Sequence, residues 1–258
     1  MTASIETSRN FYRDLADSYD DMTRFKQRMK QEQSILTTLQ KKYNFKTALD
    51  AACGTGLHAI LLQRMGVNTV GADNSQHMLD KAYKNAIRWK TKVTWIKSDI
   101  KTLTKSINRT FDVIFCLGNS LPHLANKKEL LKAFSELHQL LNPSGRIITQ
   151  ILNYRKILKE KERIISITKQ QQREFVRFYD FLDRKLQFNV IIIDWKKQPP
   201  FKQLKSTMLY PYNKTEIERI LPKAGFTNLE NFGDLSLNPF SEDKSSNLVM
   251  IAQRSNRK

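Results

Sequence analysis

The sequence predicts an α/β protein: a mostly parallel sheet with helices on both faces, joined late in the chain by a second, antiparallel sheet. Three observations carry this expectation. Short apolar runs alternate with helical patterns for about a hundred residues after Thr47, as parallel strands with crossover helices require. Over 163–212 the rhythm changes, and strand-like runs follow one another with no useful helix between them. Finally, a chain with only eight glycines places two of them, Gly54 and Gly56, directly after the first apolar run. A tight loop there needs positive φ or close backbone approach.

Taken in order, residues 5–42 read as helices, with Ile35, Leu36 and Leu39 at helical spacing before Lys41 and Lys42. Residues 47–52 form a buried strand, 53–56 a loop, and 57–65 a helix closed by Gly66. A second strand covers 69–72, followed by a helix through Met78, Leu79 and Ala82. Strands follow at 93–96 and 111–117, the latter apolar enough to be covered on both faces. A helix at 129–141, a turn at 142–145 and a strand at 146–152 complete the alternation. The insertion carries strands at 163–168, 174–182, 186–195 and 202–212. A helix at 215–224, with Thr215 as N-cap and Gly225 as its stop, precedes strands at 228–235 and 247–253, and 254–258 reads as a frayed end. The expected organisation is a helical cap over 1–45, a core over 46–158 and 213–254, and the antiparallel insertion over 159–212.

Composition narrows the functional classes. Apolar residues make up 40% of the 258, enough to bury a core and to exclude global disorder. The longest aliphatic run, Val190-Ile191-Ile192-Ile193, is far short of the ~18 residues of a membrane span. Residues 1–14 contain no apolar signal region, and Cys53 and Cys116 fit neither a disulfide framework nor a metal-ligand spacing. A reducing cytoplasm is the expected compartment. The net charge of +19 bears on solubility and non-specific association rather than on fold.

Gly54-Thr55-Gly56-Leu57-His58-Ala59 satisfies the dinucleotide pattern G-x-G-x-x-A. Asp50, four residues before Gly54, argues against NAD, because its carboxylate would face a pyrophosphate seated at the helix N-terminus. A ligand with a cationic amine and no phosphate, such as S-adenosylmethionine, suits it. Asp73, seventeen residues past Gly56, can grip ribose hydroxyls with two oxygens or serve as a helix cap. Asp99 follows the third strand and can accept from an adenine amine, with Ile100 against the ring, or simply hold a turn. Three acids thus end three successive strands, where open α/β sheets bind ligands.

The runs Leu49-Asp50-Ala51-Ala52-Cys53-Gly54-Thr55-Gly56 and Val70-Gly71-Ala72-Asp73-Asn74-Ser75, with Met78-Leu79, resemble the class I S-adenosylmethionine-dependent methyltransferases. The resemblance implies a Rossmann-like sheet of seven strands whose last hairpin is antiparallel. It implies cofactor contacts from Tyr19, Arg28, Asp50, Ala52, Gly54, Gly56, Asp73, Asn74, Met78, Asp99, Ile100 and Leu117. Ala52 stands where the superfamily most often has glycine. The run Cys116-Leu117-Gly118-Asn119-Ser120-Leu121-Pro122-His123-Leu124, the segment Asn153-Tyr154-Arg155 and the pair Tyr210-Pro211 resemble the glycine N-methyltransferase group. That similarity implies Arg28 on the methionine carboxylate and the Leu117 carbonyl on its amine. It also implies an acceptor pocket of Asn119, Ser120, His123, Tyr154 and Tyr210, with Asn119, Tyr210 and His123 as catalytic candidates. Tyr12 and Tyr19 either close the pocket or belong to the core, and core is favoured for Tyr12.

One departure stands out. The family grips the glycine carboxylate with an arginine at the position of Leu152, and its preceding Asp-His pair is Gln150-Ile151 here. Losing a charge-assisted clamp costs about 1.5–3 kcal/mol. The expected small-molecule acceptor is therefore an amine other than glycine, an alcohol, or an amine held by a cation of the insertion such as Arg173 or Arg177. The alternative is RNA. Residues 153–212 carry 14 Lys and Arg against 6 Asp and Glu, interleaved with Phe175, Phe178, Tyr179, Phe181, Phe188, Trp195 and Phe201, a mixture able to contact phosphates and stack bases. In alternating strands those aromatics face the core instead, and that reading is the favoured one.

Overall fold

The computed structural model describes residues 6–255. The ends of the first expected helix and of the expected C-terminal tail lie outside them. Two helices lead in, α1 (Ser8–Met22) and α2 (Phe25–Tyr43). The core then alternates β1 (Thr47–Ala51), α3 (Leu57–Arg64), β2 (Asn68–Asp73), α4 (Gln76–Arg88), β3 (Thr94–Lys97), β4 (Phe111–Cys116), α5 (Lys127–Gln139), β5 (Leu141–Leu152) and α6 (Tyr154–Glu160). The insertion is β6 (Ile164–Gln170), β7 (Arg173–Phe181), β8 (Leu186–Asp194) and β9 (Phe201–Leu209). The chain closes with α7 (Lys214–Ile220), β10 (Phe226–Phe232) and β11 (Asn247–Arg254).

Seven strands form one sheet in the order β10-β11-β5-β4-β1-β2-β3, and β6-β7-β8-β9 form a separate antiparallel sheet. Pairing is parallel from β3 through β5, whereas β11 runs antiparallel to both β5 and β10. Strand order reverses between β1 and β4, which opens a crevice above their carboxyl ends. The sheet is covered on both faces, so β1 past Thr47 and β4 past Asp112 are buried throughout. Helix α4 shows how a single crossover is specified: Ser75 caps it by accepting from the Met78 amide, and Met78, Leu79, Ala82 and Ala86 face the sheet.

Helix α1 ties the two sheets together. Its Phe11, Leu15 and Met22 pack with Phe175, Val190 and Ile192 of the insertion. Lys205 of β9 donates to Asp14 at 2.5 Å and to Glu6 at 3.0 Å. Of the seven insertion aromatics, Phe175 and Tyr179 are buried, whereas Trp195 and Phe201 are exposed.

Two local expectations are corrected. The N-cap of α7 is Asn213 rather than Thr215, because Asn213 and Glu216 form a reciprocal capping box, and Pro222 then turns the chain into a 3-10 segment before Gly225. Residues 142–145 lie within β5 as a bulge, where the register jumps from Phe111↔Leu141 to Val113↔Arg146. After β5 the chain forms α6, capped by Asn153.

Candidate active site

The loop after β1 is built by three left-handed residues: Ala52 at φ 60°, Gly54 at 54° and Gly56 at 85°. Gly56 is required twice over, since a Cβ there would lie 2.6 Å from the Trp95 ring. The same ring packs 2.4 Å from where a Cβ on Gly71 would stand. Gly54 by contrast faces open space, with only Tyr19 nearby at 3.9 Å.

The acids at the strand ends have already claimed the loop amides. Asp73 accepts from Gly54 N at 2.9 Å with one oxygen and from Ser75 N at 2.9 Å with the other. Asp50 lies beneath the loop and accepts from Ala59 N at 3.0 Å. Burial pushes the Asp50 carboxyl up to about 6, against the pull of His58 and of that amide. Burial also raises Asp73, opposed by its backbone hydrogen bonds. Two amides of this turn, Gly54 N and Ala59 N, are therefore spent on carboxylates rather than left for a phosphate.

Two cavities open above this loop. The first, of about 150 Å³, is walled by Asp73, Asn74, Met78, Asp99, Ile100 and Leu117, among others. Ala52, Gly54, Tyr19, Arg28, Ser120 and His123 also line it. This donor set fits S-adenosylmethionine: carboxylates for hydroxyls and amines, apolar Met78 and Ile100 for a ring, and Arg28 for a carboxylate. Two expected cofactor residues are not part of the wall. Asp50 is turned under the loop to cap α3, and Gly56 is covered by Trp95, so both shape the site from behind. The Leu117 carbonyl already accepts from the Ser120 hydroxyl at 3.0 Å, which leaves one lone pair.

The second cavity, of about 530 Å³, lies between the core and the insertion. Tyr12, Tyr19, Arg28, Gly118 and His123 line both cavities and mark where they meet. Arg28 donates to Glu32 at 2.7 Å, and the other Glu32 oxygen lies 2.8 Å from His58 Nε2. Burial alone would raise Glu32, but His58 and Arg28 outweigh it and hold the carboxyl at about 2. At the junction Tyr12 Oη is 2.8 Å from His123 Nε2. His123 Nδ1 is buried with no partner among the described residues. Burial lowers the His123 imidazole to about 4, so it is neutral at physiological pH. Tyr12 thus lines both cavities as well as packing against the core.

Asn119 sits at φ 68° beside Gly118 at 72°, a sharp turn that asparagine tolerates. Its Oδ1 accepts from Leu152 N at 3.0 Å and its Nδ2 donates to the Tyr154 hydroxyl at 2.7 Å. Asn119 reaches the second cavity, but Tyr154 and Tyr210 line neither of the two. Tyr154 is buried behind Asn119, and Tyr210 packs its ring on Tyr212 at 4.4 Å while its amide bonds Pro122 O. Residues that the sequence did not single out, including Phe25, Glu32 and Leu235, complete the walls.

Comparison with known proteins agrees with this geometry. Residues 48–145 match the methyltransferase domain family. The chain is 28% identical to the glycine/sarcosine/dimethylglycine N-methyltransferase of Actinopolyspora halophila over 93% of its length, and spans 42% of that protein. It is 29% identical to the glycine/sarcosine N-methyltransferase of Halorhodospira halochloris, covering 84% of this chain and 79% of the relative. In fold it resembles an S-adenosylmethionine-dependent methyltransferase structure from Clostridium acetobutylicum, with a TM-score of 0.81, 21% identity, and 95% and 99% of the two chains covered.

Proposed function

We propose that this chain, a class I S-adenosylmethionine-dependent methyltransferase related to the glycine/sarcosine N-methyltransferases, methylates the nitrogen of a small-molecule amine. The observation that carries this reading is the meeting of the cavity walled by Asp73, Asp99, Met78 and Ile100 with a larger second cavity at Tyr12, Tyr19, Arg28, Gly118 and His123. The bound cofactor supplies a methyl group already activated on a sulfonium sulfur. What the protein must add is alignment and the exclusion of water.

The first cavity holds the cofactor through Asp73, Asp99, Asn74, Ile100, Met78, Arg28 and the Leu117 carbonyl. Asp50 and Gly56 keep the loop in shape. On the acceptor side, Asn119 is locked by Leu152 and Tyr154 and presents a fixed polar edge. His123 is too weak a base to hold a proton at neutral pH. Its contribution is a neutral ring, held through Nε2 by Tyr12, that walls the junction of the two cavities and limits how the amine can approach. Tyr154 and Tyr210 act from behind this surface, the first through Asn119. The buried Phe175 is spent on packing against α1, and Tyr179 and Phe188 face the enclosed second cavity, which weakens the case for an RNA acceptor stacked on the insertion.

The test is a methyl-transfer screen with labelled cofactor over amines, amino acids and RNA, alongside calorimetry with S-adenosylmethionine, its demethylated product and NAD. Transfer to a small amine is expected. Transfer confined to RNA would overturn the proposal.

A further inference from the structure

Three arginines line the second cavity, Arg24, Arg28 and Arg177, and Glu32 is its one acidic wall residue. Glu32 is fully engaged by Arg28 and His58. The contrast with Arg173, four residues earlier on β7, is instructive. Arg173 lies 3.6 Å from Asp194, 3.9 Å from Asp21 and within hydrogen-bond reach of the Ser18 hydroxyl. Among the described residues Arg177 bonds through its Nε alone, donating to the Ser166 hydroxyl at 2.7 Å. Among the described residues no carboxylate forms an ion pair with it. Its neighbours in the wall include Ile165, Ile167, Tyr179 and Phe188. A partly buried guanidinium without a counter-charge is costly to keep. Burial lowers its affinity for its own proton, opposed by Tyr19 and Tyr179 and aided by the charges of Arg24 and Arg28. An anion at the free end of the fork would reverse that cost.

We propose that Arg177 is the anion clamp of the acceptor site, so that the methylated amine carries a carboxylate or a phosphate on a body larger than glycine. This rests on the amine-transfer reading above. Leu152, where the resemblance implies a carboxylate-gripping arginine, lines the same cavity as Arg177. The positive charge has moved from the core strand β5 to the insertion, across a space whose 530 Å³ lies in the range of drug-sized ligand sites. The planar fork of arginine suits either oxyanion in bidentate fashion.

The test uses three matched series of ω-amines of increasing length: amino acids beginning with glycine, aminoalkyl phosphates, and neutral amino alcohols. Binding is read by calorimetry on protein saturated with S-adenosylhomocysteine, and transfer is read separately with labelled cofactor. Wild type is expected to bind one anionic series about tenfold to a hundredfold tighter than the amino alcohols, with longer members better than glycine. The series that wins tells carboxylate from phosphate. Arg177→Gln should erase the preference, Arg177→Lys should keep part of it, and Arg173→Gln should leave it intact. Melting temperature and S-adenosylhomocysteine affinity report whether each variant is folded. Equal binding of anionic and neutral amines by wild type overturns the clamp. So does an undiminished preference in whichever Arg177 variant folds. Anion binding through Arg177 without transfer to any amine would sink the transfer reading and leave the clamp standing. Transfer to neutral amines with no advantage for anions would do the reverse.

Discussion

At the cofactor end, the acids are tied to backbone amides: Asp73 to Gly54 of the loop after β1 and to Ser75 before α4, and Asp50 to Ala59 in the first turn of α3. At the acceptor end, the polar groups are tied to side chains from distant parts of the chain. Tyr12 meets His123 across 111 residues, Asn119 meets Tyr154 across 35, and Arg177 arrives on the insertion. One end is a local device that a strand, a loop and a helix can carry anywhere. At the other, the Tyr12–His123 contact and the wall supplied by Arg177 exist only once α1 and the insertion sheet have docked onto the core. Variants at the acceptor end should therefore perturb stability and pH response, and variants at the cofactor end should perturb ligand affinity.

The largest expected effect lies at the acceptor end. His123 has a folded pKa of about 4 against an ordinary 6.5. Between those values the unfolded chain binds more protons, so stability falls as pH drops below 6.5 and levels off near 4. The shift corresponds to about 3 kcal/mol. Asp50, raised to about 6, works in the opposite direction, its burial cost growing as pH rises from about 4 to 6. The difference between wild type and His123→Asn cancels Asp50 and isolates the histidine. Urea denaturation at pH 7, 6, 5 and 4 should show that difference changing steadily, and a pH-independent difference would place His123 outside the buried junction.

Next comes Asp73→Ala, at the cofactor end. It frees two loop amides and removes the carboxylate facing the first cavity, so affinity for S-adenosylhomocysteine should fall by about 2 kcal/mol. Stability should change little by comparison, because the loop is anchored from below by Asp50. Calorimetry and thermal melting on the same sample compare the two readouts, and a melt shift without an affinity change would make Asp73 a purely structural cap.

This asymmetry also explains what could be read without coordinates. The alternation of strands and helices, the antiparallel insertion and the acids at the strand ends are written in short stretches of sequence. Which way a side chain points is not. Asp50 ends a buried strand, but the pleat turns it under the loop rather than toward the ligand space. Gly56 is required partly by Trp95, thirty-nine residues away, a contact that no local pattern announces. Tyr12 reads as a core residue of an amphipathic helix because its partner His123 lies beyond four strands. Tyr210 follows a motif, yet its ring is drawn onto Tyr212. Arg177 is one basic residue among fourteen in its region by sequence, and only the pairing of Arg173 with Asp194 and Asp21 sets it apart.

Tyr12→Phe tests the acceptor end more gently. It keeps the packing against Phe11 and Tyr19 but deletes the hydroxyl on His123. The loss of one buried hydrogen bond should cost about 1 kcal/mol in stability. Transfer should slow about tenfold, since the imidazole is no longer held in one orientation. Affinity for S-adenosylhomocysteine should stay within about twofold, which separates a positioning role from a general collapse of the site.

The smallest effect is expected back at the loop. Ala52 holds φ at 60°, a left-handed conformation that costs an L-residue roughly 1–2 kcal/mol. Glycine would relieve that strain while adding backbone entropy to the unfolded chain, an offset of up to about 1 kcal/mol. Ala52→Gly should therefore stabilise the protein by about 0.5–1 kcal/mol. Ala52 lines the first cavity, but its methyl group makes no polar contact, so cofactor affinity should move by less than about threefold. If the variant were destabilised instead, the methyl group would be packing against the loop strongly enough to outweigh the strain. The left-handed turn would then be held by side-chain contacts, and the cofactor end would depend on packing as heavily as the acceptor end does.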